Sequence, residues 1–174
     1  MEFRLAEIGE LKSICDMYND IIDHQEYDRY SADWTKDVYP SRNDIQTHLE
    51  KDLVYVAIEE GRYAGGGIVS LHEEDMYRNA SWTNRYADDE IAVLHLFAVH
   101  PDFRRRGLSK ALLKYIIEET GKTSKAIHLD VVKGNEAAFH TYEKAGFKAI
   151  GEYEVYYEDT GNIMVNLMEY DYKR

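Results

Sequence analysis

The sequence predicts a mixed α+β fold, in which helices pack against one sheet. Several segments place apolar residues at steps of three and four, which is typical of amphipathic helices. Two β-rich runs joined by a short turn at Gly61 predict a hairpin. The apolar run Ile91–Val99 is typical of a buried central strand. Because the chain has 174 residues and no linker-like segment, we expect one domain spanning residues 1–174.

The first half of the chain is predicted to hold a strand, two helices and the hairpin. Residues 23–40 are aromatic, acidic and weakly periodic, which predicts a loop or broken helix. Ser41 with Asp44 three residues later resembles a helix cap. The predicted elements are a strand at Phe3–Leu5, a helix over Ile8–Ile22, a helix from Ser41 to about Glu50, strands at Leu53–Ile58 and from Tyr63 through Leu71, and a strand end with a loop at 72–89.

The second half is predicted to follow the order β-α-β-α-β-β. Pro101 helps to end the central strand, and Gly121 and Gly146 end the two helices. The predicted elements after Ile91–Val99 are a helix from Gly107 to about Thr120, a strand at Ala126–Val132, a helix from Asn135 through Ala145, and strands near Phe147–Tyr157 and Asn162–Tyr170.

The chain is acidic, with a formal net charge of −12, and this charge is unevenly spread. Residues 1–90 carry 21 acids and 9 bases, whereas residues 100–150 carry 6 acids and 10 bases. The overall balance argues against a nucleic-acid binder and against binding to anionic membranes. The lone Cys15 excludes a disulfide within the chain, and the N-terminus lacks a signal-peptide pattern, so we expect a soluble cytoplasmic protein.

The sharpest local pattern is a buried strand that turns into a helix through a basic loop containing Gly107. The loop carries Arg104, Arg105 and Arg106, and Lys110 follows in the first helical turn. The unpaired N–H groups and the dipole of a helix N-terminus attract anions. A glycine lets the backbone approach a phosphate closely. This order of residues therefore predicts an anion-binding loop.

Two separated motifs resemble those of the GNAT superfamily of N-acetyltransferases. They read Val99-x-Pro101 followed by Arg104-x-x-Gly107-x-Ser109, and Asn135-x-x-Ala138-x-x-x-Tyr142-x-x-x-Gly146-Phe147. The resemblance covers residues 90–150 strongly and the predicted hairpin moderately. Ser109 departs from the pattern, because the family more often has Gly or Ala there. The resemblance implies a mixed, mostly antiparallel sheet whose central parallel strands splay apart.

The resemblance also implies acetyl-CoA as the cofactor. Its pyrophosphate is expected on the N–H groups between Arg105 and Lys110, and its pantetheine arm along the backbone of the central strand. The residues implied to bind the cofactor are Phe97, Ala98, Val99, Arg104, Arg105, Arg106, Gly107, Leu108, Ser109, Lys110 and Asn135.

The chemistry implied by the resemblance is direct acetyl transfer to an amine, without a covalent enzyme intermediate. An alkylammonium must lose a proton before it can attack, so a base is needed. His95 is one candidate, expected to share a strand face with Phe97 and Val99 because strand side chains alternate. Glu90, at the start of the same strand, is the competing candidate. Tyr142 occupies the family's general-acid position and is expected to protonate the departing thiolate.

The acceptor is expected to be a small-molecule amine. The aromatic and acidic stretch 18–39 is the candidate lining, and the acidity of this half of the chain favours cationic acceptors. Two alternatives stay open: acetylation of a protein N-terminus or lysine, and a non-catalytic acyl-CoA sensor on the same fold. Neither the acyl chain length nor the oligomeric state can be read from the sequence, and a homodimer stays open. The histidines lack metal-ligand spacing, so no metal site is expected.

Overall fold

The computed structural model describes residues 1–173. Its helices are α1 (Leu11–His24), α2 (Arg42–Lys51), α3 (Leu108–Thr120) and α4 (Glu136–Ala145). Its strands are β1 (Glu2–Leu5), β2 (Leu53–Glu59), β3 (Arg62–Ser70), β4 (Ile91–Val99), β5 (Ala126–Val132), β6 (Lys148–Tyr157) and β7 (Gly161–Asp171). The predicted mixed α+β architecture is confirmed.

The seven strands form one sheet in the order β1-β2-β3-β4-β5-β7-β6. All neighbouring pairs are antiparallel except β4 and β5, which run parallel. These two strands pair only where Ile91–Val93 lies beside Ala126–His128. Beyond Val93 they diverge, and a cavity opens between the later residues of β4 and residues 130–132 of β5. The expected splay of the central parallel strands is therefore confirmed.

Helices cover both faces of the sheet. α1 and α2 pack on one face, where Ile14 and Ile45 join a core cluster with Ile68 of β3. α3 and α4 pack on the other face, where Leu112 and Tyr142 belong to a second cluster. Within residues 1–173, no helix combines the length and apolar character needed to span a membrane.

The predicted cap of α2 is present. The Ser41 hydroxyl accepts a hydrogen bond from the backbone N–H of Asp44 at 3.2 Å, and the Asp44 carboxylate accepts one from the N–H of Ser41 at 2.8 Å. This reciprocal pairing satisfies two N–H groups that the first helical turn would otherwise leave without partners.

A bulge interrupts β4 at Leu96, whose backbone has a φ of 49°. The register with β3 shifts at this point, because Gly66 lies opposite Ala98 while Ile68 lies opposite His95. The hydroxyl of the fully buried Tyr18 donates a 2.6 Å hydrogen bond to the Leu96 carbonyl. A left-handed backbone is costly for a leucine, so this contact helps to hold the bulge in place.

The bulge changes which side chains share a face of β4. A Cβ atom added at Gly67 would lie 3.4 Å from Leu94 and 3.1 Å from Phe97, so both side chains lie on the α3 face. His95 lies on the opposite face, with its ring centre 6.2 Å from that of His48 in α2. The expectation that His95 shares a face with Phe97 and Val99 is therefore wrong, because the extra residue breaks the alternation of the strand.

We predict that Tyr18→Phe destabilises the protein by about 1–3 kcal/mol, because it leaves the buried Leu96 carbonyl without a hydrogen bond. The midpoint of thermal unfolding should fall by roughly 2–10 °C. Tyr156→Phe is the control, since it removes the same atom from a tyrosine that is 62% exposed. Equal midpoints for the Tyr18 variant and the wild type would contradict the role assigned to this hydrogen bond.

Candidate active site

Two adjoining cavities lie at the end of the sheet where β4 and β5 separate. The larger has a volume of about 460 Å³ and lies against the loop between β4 and α3. The smaller, of about 210 Å³, lies in the gap between the two strands. The two cavities share six wall residues: Ala32, Trp34, Phe97, Asn135, Ala138 and Tyr142. A molecule bound in one cavity therefore lies next to a molecule bound in the other.

Most residues implied to bind a cofactor line the larger cavity. Nine of them do so: Phe97, Ala98, Val99, Arg104, Arg105, Gly107, Leu108, Ser109 and Asn135. Arg106 and Lys110 do not line it. The guanidinium carbon of Arg106 lies 5.4 Å from the ring centre of Phe103 instead.

The loop before α3 has the shape expected of an anion cradle. Arg105 and Gly107 adopt positive φ values of 63° and 78°, and α3 begins at the next residue, Leu108. A Cβ atom added at Gly107 would meet no atom within 4 Å, so the space above this glycine is open. The first N–H groups of a helix have no carbonyl partner within the helix and carry partial positive charge. The loop therefore fits a phosphate group.

Arg104 lines the larger cavity, but its side chain is paired within the protein. Its guanidinium contacts both carboxylate oxygens of Asp28 at 2.7 and 2.8 Å, and its Nε lies 3.3 Å from the carbonyl oxygen of Val99. Both carboxylate contacts come from the same guanidinium nitrogen, so the charge of Arg104 is compensated by Asp28. Arg104 thus clamps the segment after α1 onto the end of β4, and it is not a free cation beside the cavity.

Asn135 makes a second link to the same segment. Its Oδ1 accepts a 3.1 Å hydrogen bond from the N–H of Ala138 and caps α4, while its Nδ2 donates a 3.0 Å bond to the carbonyl of Ser31. Residues 28–31 are therefore held across the larger cavity at both ends.

Tyr142 of α4 lies in the wall between the two cavities. Its residue is only 8% exposed, and its ring packs against Phe97 and Phe147 at centroid distances of 5.9 and 5.6 Å. Among residues 1–173 its hydroxyl has no hydrogen-bond partner. Burial raises the pKa of Tyr142, and the charge of Asp130 adds to the effect. The hydroxyl therefore stays protonated near neutral pH and is available as a proton donor.

His95 lies in the smaller cavity and contacts Glu74, which belongs to the loop after β3. Its Nε2 lies 3.4 Å from a Glu74 oxygen, but the alignment is poor, so this buried nitrogen has no hydrogen-bond partner among residues 1–173. The contact with His95 lowers the pKa of Glu74, against the opposing effect of burial. A charged Glu74 can stabilise an imidazolium at His95.

A buried ion pair anchors the loop that carries Glu74. The neighbouring Glu73 contacts Nδ1 of the fully buried His128 at 2.7 Å, and Glu169 lies 3.5 Å from the other ring nitrogen. Burial lowers the pKa of His128, but these two carboxylates outweigh burial and raise it overall. Trp82 stacks on the imidazole at 3.5 Å. The polar run at residues 72–75 shows no motif, so the sequence did not reveal this anchor or the position of Glu74.

Glu90 is not part of the site. Its carboxylate pairs with Lys125, and this pairing lowers the pKa of Glu90. Glu90 lines neither the larger nor the smaller cavity. It lies just before Ile91, at the end of β4 that is still paired with β5. The smaller cavity is therefore lined by both His95 and Tyr142, whereas Glu90, the competing candidate for the base, lies outside it.

The smaller cavity has aromatic walls and carboxylates. The aromatic residues are Trp34, Tyr39, Phe97, Tyr142 and Tyr157, and the carboxylates are Asp33, Asp130 and Asp159. No lysine or arginine of residues 1–173 lines it. Such a lining fits a cationic organic molecule. Across the same described part of the chain, no group of three or more His, Cys, Asp or Glu residues is arranged to hold a metal ion.

Comparison with known sequences identifies the family of this chain. The family model described as the acetyltransferase (GNAT) family matches residues 17–147, which is more than half of the chain. A serotonin N-acetyltransferase from Mesocricetus auratus is 33% identical over 93 residues, covering 53% of this chain and 44% of the relative. A ribosomal protein bS18-alanine N-acetyltransferase from Escherichia coli K12 is 40% identical over 70 residues, covering 40% and 47%. The matched segments thus span less than half the length of these relatives.

Solved structures share the whole fold at lower sequence identity. The structure of yncA from Salmonella typhimurium, solved with its cofactor acetyl-CoA, aligns with a TM-score of 0.71 at 16% identity over 100% of this chain and 95% of that one. An acetyltransferase of the GNAT family from Streptococcus agalactiae aligns with a TM-score of 0.73 at 22% identity over 99% and 96%. These likenesses establish the fold. Together with the family match, they show that the chain belongs to the acetyltransferase (GNAT) family.

Proposed function

We propose that the protein is an N-acetyltransferase that transfers an acetyl group from acetyl-CoA directly to the amine of a small molecule. The observation that carries this proposal is the position of Tyr142. Its protonated and unpartnered hydroxyl lies in the wall shared by a cavity with an anion cradle and a cavity with carboxylates. A donor and an acceptor bound in these cavities would meet beside a proton donor.

The cradle before α3 fits the pyrophosphate of acetyl-CoA, which supplies the acetyl group as a thioester. The N–H groups between Arg105 and Lys110 would hold the phosphate oxygens, and the side chain of Arg105 adds a positive charge at the cavity wall. Gly107 leaves the space above the loop open. Arg104 would contribute by holding residues 28–31 in place, because its own charge is paired with Asp28.

The free edge of β4 fits an extended chain. Beyond Val93, β4 has no strand partner on its β5 side within residues 1–173, so backbone groups near Phe97 and Val99 can pair with a strand-like ligand. A backbone N–H at this edge is also the natural donor to the oxygen of the reacting carbonyl as it gains negative charge.

Two side chains would then move protons. His95 would accept a proton from the amine, and the neighbouring Glu74 carboxylate would stabilise the imidazolium. Tyr142 would donate a proton to the departing thiolate. Because Tyr142 is buried among apolar rings, its hydroxyl reaches the reaction with little competition from water.

The acceptor cavity favours a small amine. Its volume of about 210 Å³ lies below the roughly 300–1,000 Å³ usual for ligand pockets, and its lining is aromatic and acidic. The likeness to a serotonin N-acetyltransferase supports this class.

Because the only cysteine, Cys15, requires no oxidising compartment, we place the activity in the cytoplasm.

Acetylation of a protein N-terminus is the second candidate, because a bS18-alanine N-acetyltransferase is 40% identical over 70 residues. Release of CoA thiol from acetyl-CoA distinguishes the candidates. A panel of small primary amines should give faster turnover than peptides that begin with alanine. Binding of acetyl-CoA without thiol release from any acceptor would instead favour an acyl-CoA sensor.

We predict that Gly107→Ala weakens acetyl-CoA binding about tenfold or more, because a side chain strains the positive φ and fills the space that the phosphates need. Gly61→Ala is the matched control, since Gly61 has a φ of 73°, equally open surroundings and no place in either cavity. Both variants should lose about 1–2 kcal/mol of stability. Equal affinities of the two variants in titration calorimetry would contradict the assignment of the cradle.

We predict that Tyr142→Phe lowers kcat for thiol release by about 100-fold or more, because the thiolate loses its proton donor. Tyr170→Phe is the control: its ring also packs on Phe147, at 5.5 Å, but Tyr170 lines neither cavity. If both variants keep the wild-type kcat across pH, Tyr142 is not the general acid.

We predict that His95→Gln lowers kcat/KM about 100-fold at neutral pH, because the amine loses its proton acceptor. Glu90→Gln should stay within about twofold of the wild type, since Glu90 lines neither cavity and its carboxylate contacts Lys125 and the backbone N–H of Ala87. Steady-state kinetics with the best amine provides the measurement. The reverse order of the two effects would assign the base to Glu90.

A further inference from the structure

Asp130 is a carboxylate in the middle of β5, between the apolar residues Leu129 and Val131. Its neighbours Leu129 and Val131 are buried, while Asp130 is partly exposed and lines the smaller cavity. Removing a carboxylate from water is costly unless hydrogen bonds or an opposite charge compensate it. The contacts of Asp130 therefore indicate what this position is built to bind.

A neutral group holds Asp130 within the protein. The Tyr77 hydroxyl donates a hydrogen bond to its carboxylate. Tyr157 lines the same cavity, and the charge of Asp130 adds to the effect of burial in raising the pKa of Tyr157. Among residues 1–173 no lysine or arginine pairs with Asp130, whereas most other partly buried carboxylates near the site have such a partner or a histidine. The hydrogen bond from Tyr77 fixes the orientation of the carboxylate without cancelling its charge.

The surroundings of Asp130 form a site for a ligand. Trp34, Tyr39 and Tyr157 provide aromatic walls, and no basic side chain of the described residues other than His95 lines the cavity. Tyr142, which is more than nine-tenths buried, presents an unpartnered hydroxyl to the same space. An uncompensated carboxylate, aromatic faces and a free hydroxyl together complement an organic cation.

We propose that the acceptor carries two amino groups and that Asp130 binds the ammonium group that is not acetylated. This inference rests on the proposed acetyltransferase function and names its substrate class as diamines. An acceptor with a single amino group must be neutral when it reacts, so it would leave the charge of Asp130 uncompensated while it displaces water from the cavity.

The reaction of a diamine balances in atoms and charge. The reacting ammonium releases its proton, its nitrogen bonds to the acetyl carbon as the carbon–sulfur bond breaks, and the sulfur leaves as a thiol. The products are the mono-acetylated diamine, which keeps one positive charge, CoA thiol and one proton released to solvent. The second ammonium remains paired with Asp130 throughout.

The bound ammonium would also assist catalysis. The charge of Asp130 contributes to the raised pKa of Tyr142, after the larger effect of burial. A cation at Asp130 opposes that contribution, so the Tyr142 hydroxyl becomes a better proton donor when a diamine is bound. The preference for diamines should therefore appear in kcat as well as in KM.

The test compares a series of α,ω-diaminoalkanes with two to six carbons against monoalkylamines of the same length, in the acetyl-CoA thiol-release assay. The wild type should show a kcat/KM ratio of diamine to monoamine of at least about ten at the best length. Asp130→Asn, whose amide oxygen can still accept from Tyr77, should reduce this ratio about tenfold or more. Asp89→Asn is the control with the same change in net charge, since Asp89 is exposed and lines no cavity.

Each outcome decides the proposal. Equal use of monoamines and diamines by the wild type would overturn it and leave the acetyltransferase function standing. Thiol release from neither series would overturn the diamine proposal, and the acetyltransferase function would fall as well only if the wider panel of amines and peptides also released no thiol. If the ratio of kcat/KM for diamine to monoamine is the same in Asp130→Asn and Asp89→Asn, Asp130 does not bind the second ammonium group. If Asp130→Asn does not fold, Asp130→Glu provides the second variant, and a shift of the best diamine length toward shorter chains is the expected result.

Discussion

The active-site architecture depends on one hydrogen bond, from the Tyr18 hydroxyl to the carbonyl of Leu96. It supports the bulge in β4, where Leu96 adopts a left-handed backbone. The bulge places His95 and Phe97 on opposite faces of the strand, so His95 meets Glu74 and His48 while Phe97 packs against Tyr142. Because β5 diverges from β4 beyond Val93, the β5 side of β4 beside the bulge has no strand partner among residues 1–173. The proposed base His95, the proposed proton donor Tyr142 and the free edge of β4 therefore surround one gap.

The loop after α1 completes the site from outside the sheet. Arg104 holds Asp28, and Asn135 holds the Ser31 carbonyl, so residues 28–31 form part of the wall of the larger cavity. Each of these contacts joins a motif residue to a segment with no regular secondary structure. The residues that follow bring Trp34 into the wall shared by the two cavities, so this loop links the proposed cofactor and acceptor sites physically.

The sequence predicted the elements well because helix periodicity, caps and glycine stops are local signals. Ser41, Asn135 and Gly107 all stand at the helix starts expected of them. The prediction of which side chains share a face of β4 was wrong, because the bulge depends on Tyr18, which is distant in the sequence. No local residue pattern marks the bulge. The pairing of Arg104 with Asp28, 76 residues apart, was hidden for the same reason. Asp130 and Glu74 carry no motif, and only the divergence of the strands and the folding of a loop bring them to the site.

In the proposed mechanism, the two cavities form one chamber in which a thioester meets an amine beside Tyr142. The most direct test is a crystal structure of the wild type with CoA and an inert diammonium analogue of the acceptor. We expect the pyrophosphate on the N–H groups before α3, the sulfur within hydrogen-bond distance of the Tyr142 hydroxyl, and an ammonium against Asp130. A CoA sulfur that lies away from Tyr142, with the gap between β4 and β5 closed, would contradict the account.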